Sequence, residues 1–149
     1  DLRENKPLFV MDFWNDGTYS QGCIAGGKRY FHINARGDAE PCAFAHFSVD
    51  NVKEKSLKDI LKNPLFKAYQ KRQPFDENLM CPCPIIDNPQ ALRDIIKESS
   101  AVPTHDGAKE ILEGRTAEGF DKLSAEWHHI SKKIYDRRMG REKGNKNIP

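Results

Sequence analysis

The sequence predicts an α+β protein: a small β-hairpin-centred unit, then several helices, then a long C-terminal helix. Three observations lead there. Two short extended segments flank a glycine turn between Arg29 and Phe44. Asparagine–proline pairs at Asn63-Pro64 and Asn88-Pro89 read as helix starts. Apolar side chains recur at helical spacing from Phe120 to Ile134.

Leu8 to Phe13 reads as a buried strand, followed by the turn Asn15-Asp16-Gly17. Arg29 to Asn34 alternates, with Phe31 and Ile33 on one face and Tyr30 and His32 on the other. Ala35-Arg36-Gly37-Asp38 is the turn, with Gly37 suited to positive φ. Glu40 to Phe44 returns as the second strand, at an edge or bulge because Pro41 cannot donate to a ladder. Ser56-Leu57-Lys58-Asp59 is a capping-box-like start for a helix toward Leu61. Asn63-Pro64 opens a helix through about Gln70, and Asn88-Pro89 opens another through about Glu98. Cys81-Pro82-Cys83-Pro84 must be a loop, since its prolines exclude both a helix and a central strand. Val102 to Gly107 reads as a linker. Helical sequence follows from Ala108 to Arg138, with a break expected at Gly114 or Gly119. Phe120, Leu123, Trp127, Ile130 and Ile134 form one apolar stripe there, too short for a coiled coil. It reads as a helix docked on its own domain or on a neighbour. From Gly140 the chain is polar and is expected to be disordered.

Composition narrows the function. The chain has 149 residues and a formal net charge of +2. No apolar run approaches the ~20 residues of a membrane span, so no membrane partner is expected. Residues 1–100 carry 14 basic and 14 acidic side chains, while residues 131–149 carry seven and two. A neutral body with a basic end argues against nucleic acid as a partner, and the tail reads first as a solvated end and second as a site for an anionic partner. The chain begins Asp1-Leu2-Arg3 without an initiator Met or a secretory leader. The expectation is a piece of a longer protein in a reducing, cytoplasmic compartment.

Cys23, Cys42, Cys81 and Cys83 are the candidate site. Cys42 falls across from Tyr30 near the open end of the hairpin, and Cys23 lies just before it. Gly26-Gly27 lets the backbone fold back there, with N–H groups free to donate to sulfur. Cys81 and Cys83 arrive from a distant loop that Pro82 stiffens. Composition and spacing leave three readings open: an iron–sulfur cluster, structural zinc, and free thiols or disulfides. The zinc reading lacks the usual C-x2-C knuckles, and a direct Cys81–Cys83 bond would strain a very short ring.

The pattern Cys23, thirteen residues, Gly37, four residues, Cys42 resembles the C-x(9–15)-G-x4-C signature of SPASM and related twitch domains, the C-terminal auxiliary-cluster domains of radical SAM enzymes. Phe31 to Cys42 is similar to that family's strand, turn glycine, acidic residue and Pro-Cys. Asp50-Asn51-Val52 with Ser56 to Leu61 resembles its next segment. The resemblance covers roughly residues 20–85. The chain lacks the full family's later C-x2-C-x5-C-x3-C and final cysteine, so there is room for one cluster, as in a twitch-like or shortened domain. The resemblance implies one auxiliary [4Fe–4S] cluster serving electron transfer or substrate positioning. Cys23 and Cys42 match the motif as ligands; Cys81 and Cys83 enter by ligand count. If one of these two does not bind, an iron is left open to a substrate atom. The defining C-x3-C-x2-C of the radical SAM core is absent. S-adenosylmethionine and a second [4Fe–4S] cluster therefore belong to an N-terminal core of the same polypeptide, the expected partner, with a peptide or small-molecule substrate. This chain alone is not expected to be catalytic. The alternative is a structural zinc module that mediates contacts.

These readings divide the chain into 1–19, a bridge or last strand of the core; 20–100, the cluster domain; 101–139, a helical extension; and 140–149, the tail. Other residues read plainly. His32 is exposed and His46 structural, although both flank Cys42 and can serve as ligands or as donors to ligands. His128 and His129 are adjacent on a helix and do not face one another. Asp16 is a turn residue, and nothing pairs Asp12, Asp16 and Glu40 for acid–base work. Trp14 and Trp127 are core or interface residues.

Overall fold

A computed structural model describes residues 5–7, 12 and 16–145. Most of the strand expected over 8–13, and of the bridge over 1–19, lies outside the described residues. A single helical turn, α1 (Gly17–Ser20), precedes the hairpin.

The hairpin is shorter than the alternation suggests. β1 (His32–Ile33) pairs antiparallel with β2 (Ala39–Glu40), in the register His32 with Glu40 and Ile33 with Ala39. Its turn is fixed by side chains. Asn34 Oδ1 accepts from the N–H groups of Arg36 and Asp38, and Asn51 Nδ2 donates to the Arg36 carbonyl and to Asp38 Oδ1. Gly37 has φ of +94°, and a Cβ there would lie 2.7 Å from Asn51 Oδ1. Both facts demand glycine. Ile33 is not the buried partner of Phe31 that the alternation implies. Phe31 packs on Phe66 with ring centroids 5.3 Å apart, while Ile33 is exposed.

β3 (Phe47–Ser48) pairs antiparallel with β4 (Val102–Pro103). The stretch read as a linker from Val102 is thus partly a strand, and it ties the extension back to the hairpin unit. The Thr104 N–H continues the pairing at the His46 carbonyl, 2.9 Å away.

The helices start where side chains cap them. Ser56 accepts from the Asp59 N–H and opens α2 (Leu57–Ile60). Asn63 accepts from the Phe66 N–H and opens α3 (Pro64–Arg72), with Pro64 at the first turn. α4 (Pro89–Ser99) packs on α3 and buries Leu92, Ile95 and Ile96. Tyr69, Phe47, Phe66, Ile60, Leu65, Leu92 and Ile95 form the centre of the core, each essentially shielded from solvent.

A short 3-10 turn (Ala108–Ile111) precedes α5 (Gly114–Asn145). The break falls at Gly114, with φ of +78°, and α5 runs through Gly119. The described helix runs to Asn145. Arg141, Glu142 and Lys143 are good helix formers, and one glycine costs only about 1 kcal/mol. The apolar stripe on α5 is only half covered. Leu123 and Ile130 are exposed, and the helix docks through Ala117, Ser124, Trp127, His128 and Ser131. Polar bonds to the cysteine loop turn it that way. No helix among the described residues is long and apolar enough to cross a membrane.

Candidate iron–sulfur centre

Cys42 lies two residues beyond Glu40 in the hairpin. The register that pairs His32 with Glu40 carries Tyr30 to the position opposite Cys42. Cys23 approaches from the preceding loop. There the Gly26 N–H donates to the Pro41 carbonyl and the Gly27 N–H to the Tyr30 carbonyl. These two N–H groups therefore hold the loop against the hairpin and do not donate to sulfur, as the sequence suggested they might be free to do. Gly26, at φ of +63°, lies so close to α3 that a Cβ would come within 2.6 Å of Tyr69 Cβ.

Cys83 is placed by its own loop. Its N–H donates to Asp87 Oδ2 at 2.8 Å, and its carbonyl accepts from the N–H groups of Asp87 and Asn88. Asn88 does not use its side chain as a helix cap. Its Nδ2 donates instead to the Cys81 carbonyl at 2.9 Å, which fixes the Cys-Pro-Cys backbone.

Three thiols meet. The charges of Cys23, Cys42 and Cys83 all bear on Tyr30 and on Tyr69, and Cys23 acts on both Cys42 and Cys83. Each sulfur of this trio also receives N–H groups from the residues just after it. Ala25 donates to Cys23, Phe44 and Ala45 to Cys42, and Ile85 and Ile86 to Cys83. The Ile85 N–H lies 3.4 Å from Cys83 Sγ. Donors arranged this way favour a thiolate over a thiol. Burial opposes them and dominates. It raises the Cys23 thiol above its ordinary value, lifts Cys42 to about 11 and lifts Cys83 to about 12. The thiols are therefore protonated near neutral pH, and a metal that binds them must displace their protons.

Cys81 is held elsewhere. Its sulfur lies 3.2 Å from Ser131 Oγ and accepts from Asn78 Nδ2 at 3.5 Å. Asn78 Nδ2 also donates to Ser131 Oγ at 2.9 Å, closing a buried triangle against α5. The nearby charges on this thiol are those of Asp87 and Asp76. All four cysteines are free of disulfides.

The histidines serve other groups. His46 Nδ1 lies 3.5 Å and His32 Nε2 4.0 Å from the buried Glu40 carboxylate. His128 Nε2 lies 2.9 Å from the Asp87 carbonyl, while His129 faces Lys133. Among the described residues, no three His, Cys, Asp or Glu side chains are grouped to hold one metal ion. Four thiolates on one zinc would sit only about 3.8 Å apart, given a Zn–S bond of ~2.3 Å.

Two polar groups outside the cysteine set lie near the same thiols. Tyr69 is fully buried, and its hydroxyl has no hydrogen-bond partner. Gln73, four residues on, lies against Cys23; its Nε2 donates to the Ala25 carbonyl and its Oε1 has no partner. Helical spacing puts both on one side of α3 and its C-terminus.

Residues 23–84 match the family model of the SPASM iron–sulfur cluster-binding domain. This stretch is similar to a SPASM domain. The match begins at Cys23 and takes in Cys42, Cys81 and Cys83. No curated protein and no solved structure is significantly similar to the chain. The family it resembles binds an iron–sulfur cluster, and the surroundings of these thiols suit one. They offer soft sulfur donors, backbone N–H groups aimed at those sulfurs, and buried polar atoms left without partners.

Proposed function

We propose that this SPASM-like domain holds one [4Fe–4S] cluster on Cys23, Cys42 and Cys83. We further propose that it works beside a radical SAM core belonging to the same polypeptide. The carrying observation is that the Cys23, Cys42 and Cys83 thiols act on the same two tyrosines, each thiol favoured as thiolate by N–H groups of the residues that follow it. Cys81 belongs to the packing of α5 in this reading, because Ser131 and Asn78 occupy its sulfur.

A bound cluster supplies one-electron transfer and, at an iron without a cysteine, a position for a substrate atom. The protein's own groups do the rest. Three thiolates bind, and the N–H groups of Ala25, Phe44, Ala45, Ile85 and Ile86 stabilise their negative charge. Tyr69 and the surrounding core exclude water. S-adenosylmethionine and its own cluster lie with the core, because no three cysteines here have the C-x3-C-x2-C spacing. The substrate is a peptide or a small molecule presented between core and SPASM-like domain.

Anaerobic reconstitution with iron and sulfide tests this reading. The expected product carries about four irons and four labile sulfides per chain, with broad visible absorption. Cys23→Ala, Cys42→Ala and Cys83→Ala should each lose most of that iron, and Cys81→Ser should keep it. Stoichiometric zinc without labile sulfide would establish the structural-zinc alternative instead. Equal iron loss in Cys81→Ser would return that residue to the ligand set.

A further inference from the structure

We infer that the Tyr69 hydroxyl donates a hydrogen bond to a sulfur of the bound cluster or of its thiolates, and thereby raises the cluster's reduction potential. The inference rests on the cluster reading above and goes beyond it, since it assigns a role to a residue outside the cysteine set.

Tyr69 is fully buried, yet its hydroxyl meets no acceptor among the described residues. Leaving such a group unpaired costs about 1–3 kcal/mol, and phenylalanine would fill the same volume without that penalty. The ring has no freedom to find an acceptor elsewhere. Gly26 closes on its base, where even a Cβ would come within 2.6 Å. Phe75 stands edge-on to it, with centroids 5.6 Å apart. The nearby charges that act on the phenol are those of Cys42, Cys23, Cys83 and, last, Tyr30, so three of its four electrostatic neighbours are these thiols. Gln73 Oε1 is a second atom on the same side of α3 without a partner among the described residues. A phenol is a donor, and sulfur atoms carrying negative charge are the acceptors that a cluster would bring there. Hydrogen bonds to cluster sulfurs stabilise the reduced, more negative state.

The test uses the full chain reconstituted anaerobically, as wild type and as Tyr69→Phe. Iron and labile sulfide are measured first, and a wild type without them refutes the cluster reading itself. With the cluster present, Tyr69→Phe should carry the same iron and sulfide but have a more negative midpoint potential. The Fe–S stretching bands of the wild type should also shift between H2O and D2O more than those of the variant. Equal potentials and equal isotope shifts would overturn the inference. If the variant does not fold, Tyr30→Phe carrying ring-deuterated tyrosine decides by pulsed EPR. Deuteron coupling to the reduced cluster supports the assignment to Tyr69, and its absence overturns it.

Discussion

Burial lifts the Asp87 carboxyl to about 6, against the pull of the Cys83 N–H and of nearby His128. Its folded value is above that of the unfolded chain, so between those values the native state binds more protons. The stability this provides is complete below about pH 4 and is lost as pH rises through about 6. Asparagine keeps an oxygen for the Cys83 N–H and carries no charge. In the cluster-free chain, Asp87→Asn should therefore gain on the wild type by on the order of 2–3 kcal/mol between pH 4 and pH 7. Urea titrations at several pH values measure this, and parallel stability curves for the two proteins would refute it. Gly37 poses a different residue-scale constraint. Its φ of +94° and the 2.7 Å approach of Asn51 Oδ1 leave no room for a methyl group. Gly37→Ala should cost roughly 1–3 kcal/mol and weaken cluster retention, because Cys42 is carried by the strand that this turn returns. An unchanged denaturation midpoint would show that the turn relaxes freely.

At the scale of elements, α5 acts as a strap over the loop that carries Cys81 and Cys83. Trp127 Nε1 donates to the Met80 carbonyl at 3.0 Å, Ser124 donates to the Asp87 carbonyl, and Ser131 closes the triangle with Asn78 and Cys81. Arg93 fastens the start of the strap from α4, with bonds to the Leu112 and Ala117 carbonyls and to Asp121. Trp127→Ala removes both the ring and the bond, and should destabilise the chain by about 2–4 kcal/mol. Limited proteolysis should then cut first between residues 78 and 83, and a reconstituted cluster should lose iron faster; cleavage confined to other loops would deny the strap its role. This is also where the sequence was least informative. The hairpin turn, the caps at Ser56 and Asn63, and the break at Gly114 were legible because each depends on residues within a few positions of one another. Cys23 and Cys42 were legible as a pair because the hairpin register follows from a local turn. The contact that Cys81 makes was not, because its partner Ser131 lies 50 residues away. The docked face of α5 was hidden for the same reason. Its apolar periodicity marks Leu123 and Ile130, while the docking is made by serines, a tryptophan N–H and a histidine whose partners are distant carbonyls. Asn88 likewise looked like a cap, and long-range bonding to the Cys81 carbonyl took its side chain instead.

Across the whole molecule, the proposed ligands come from three separate stretches, at positions 23, 42 and 83, and the core between them includes α3 and α4. A group that binds all three sulfurs can do so only when those stretches are folded together. Its binding free energy therefore adds to folding stability by mass action. The effect should be uneven, because stability is distributed in local units. The segments 23–27, 42–45 and 83–86 contain the sulfurs and the N–H groups that turn toward them, and they should gain most of the protection. The outer part of α5 beyond Ser131 touches none of these segments through the bonds described above and should gain little. Hydrogen exchange with and without the cluster measures the pattern directly, and thermal melts of the same samples should show a higher midpoint for the loaded chain. The burial that keeps the Cys42 and Cys83 thiols protonated sets the direction of the pH effect: loading releases protons, so cluster uptake should improve as pH rises from 6 to 8.5 at fixed iron and sulfide. Protection spread evenly along the chain, or centred on the Cys81–Ser131 contact, would place the bound group somewhere other than the three-sulfur pocket.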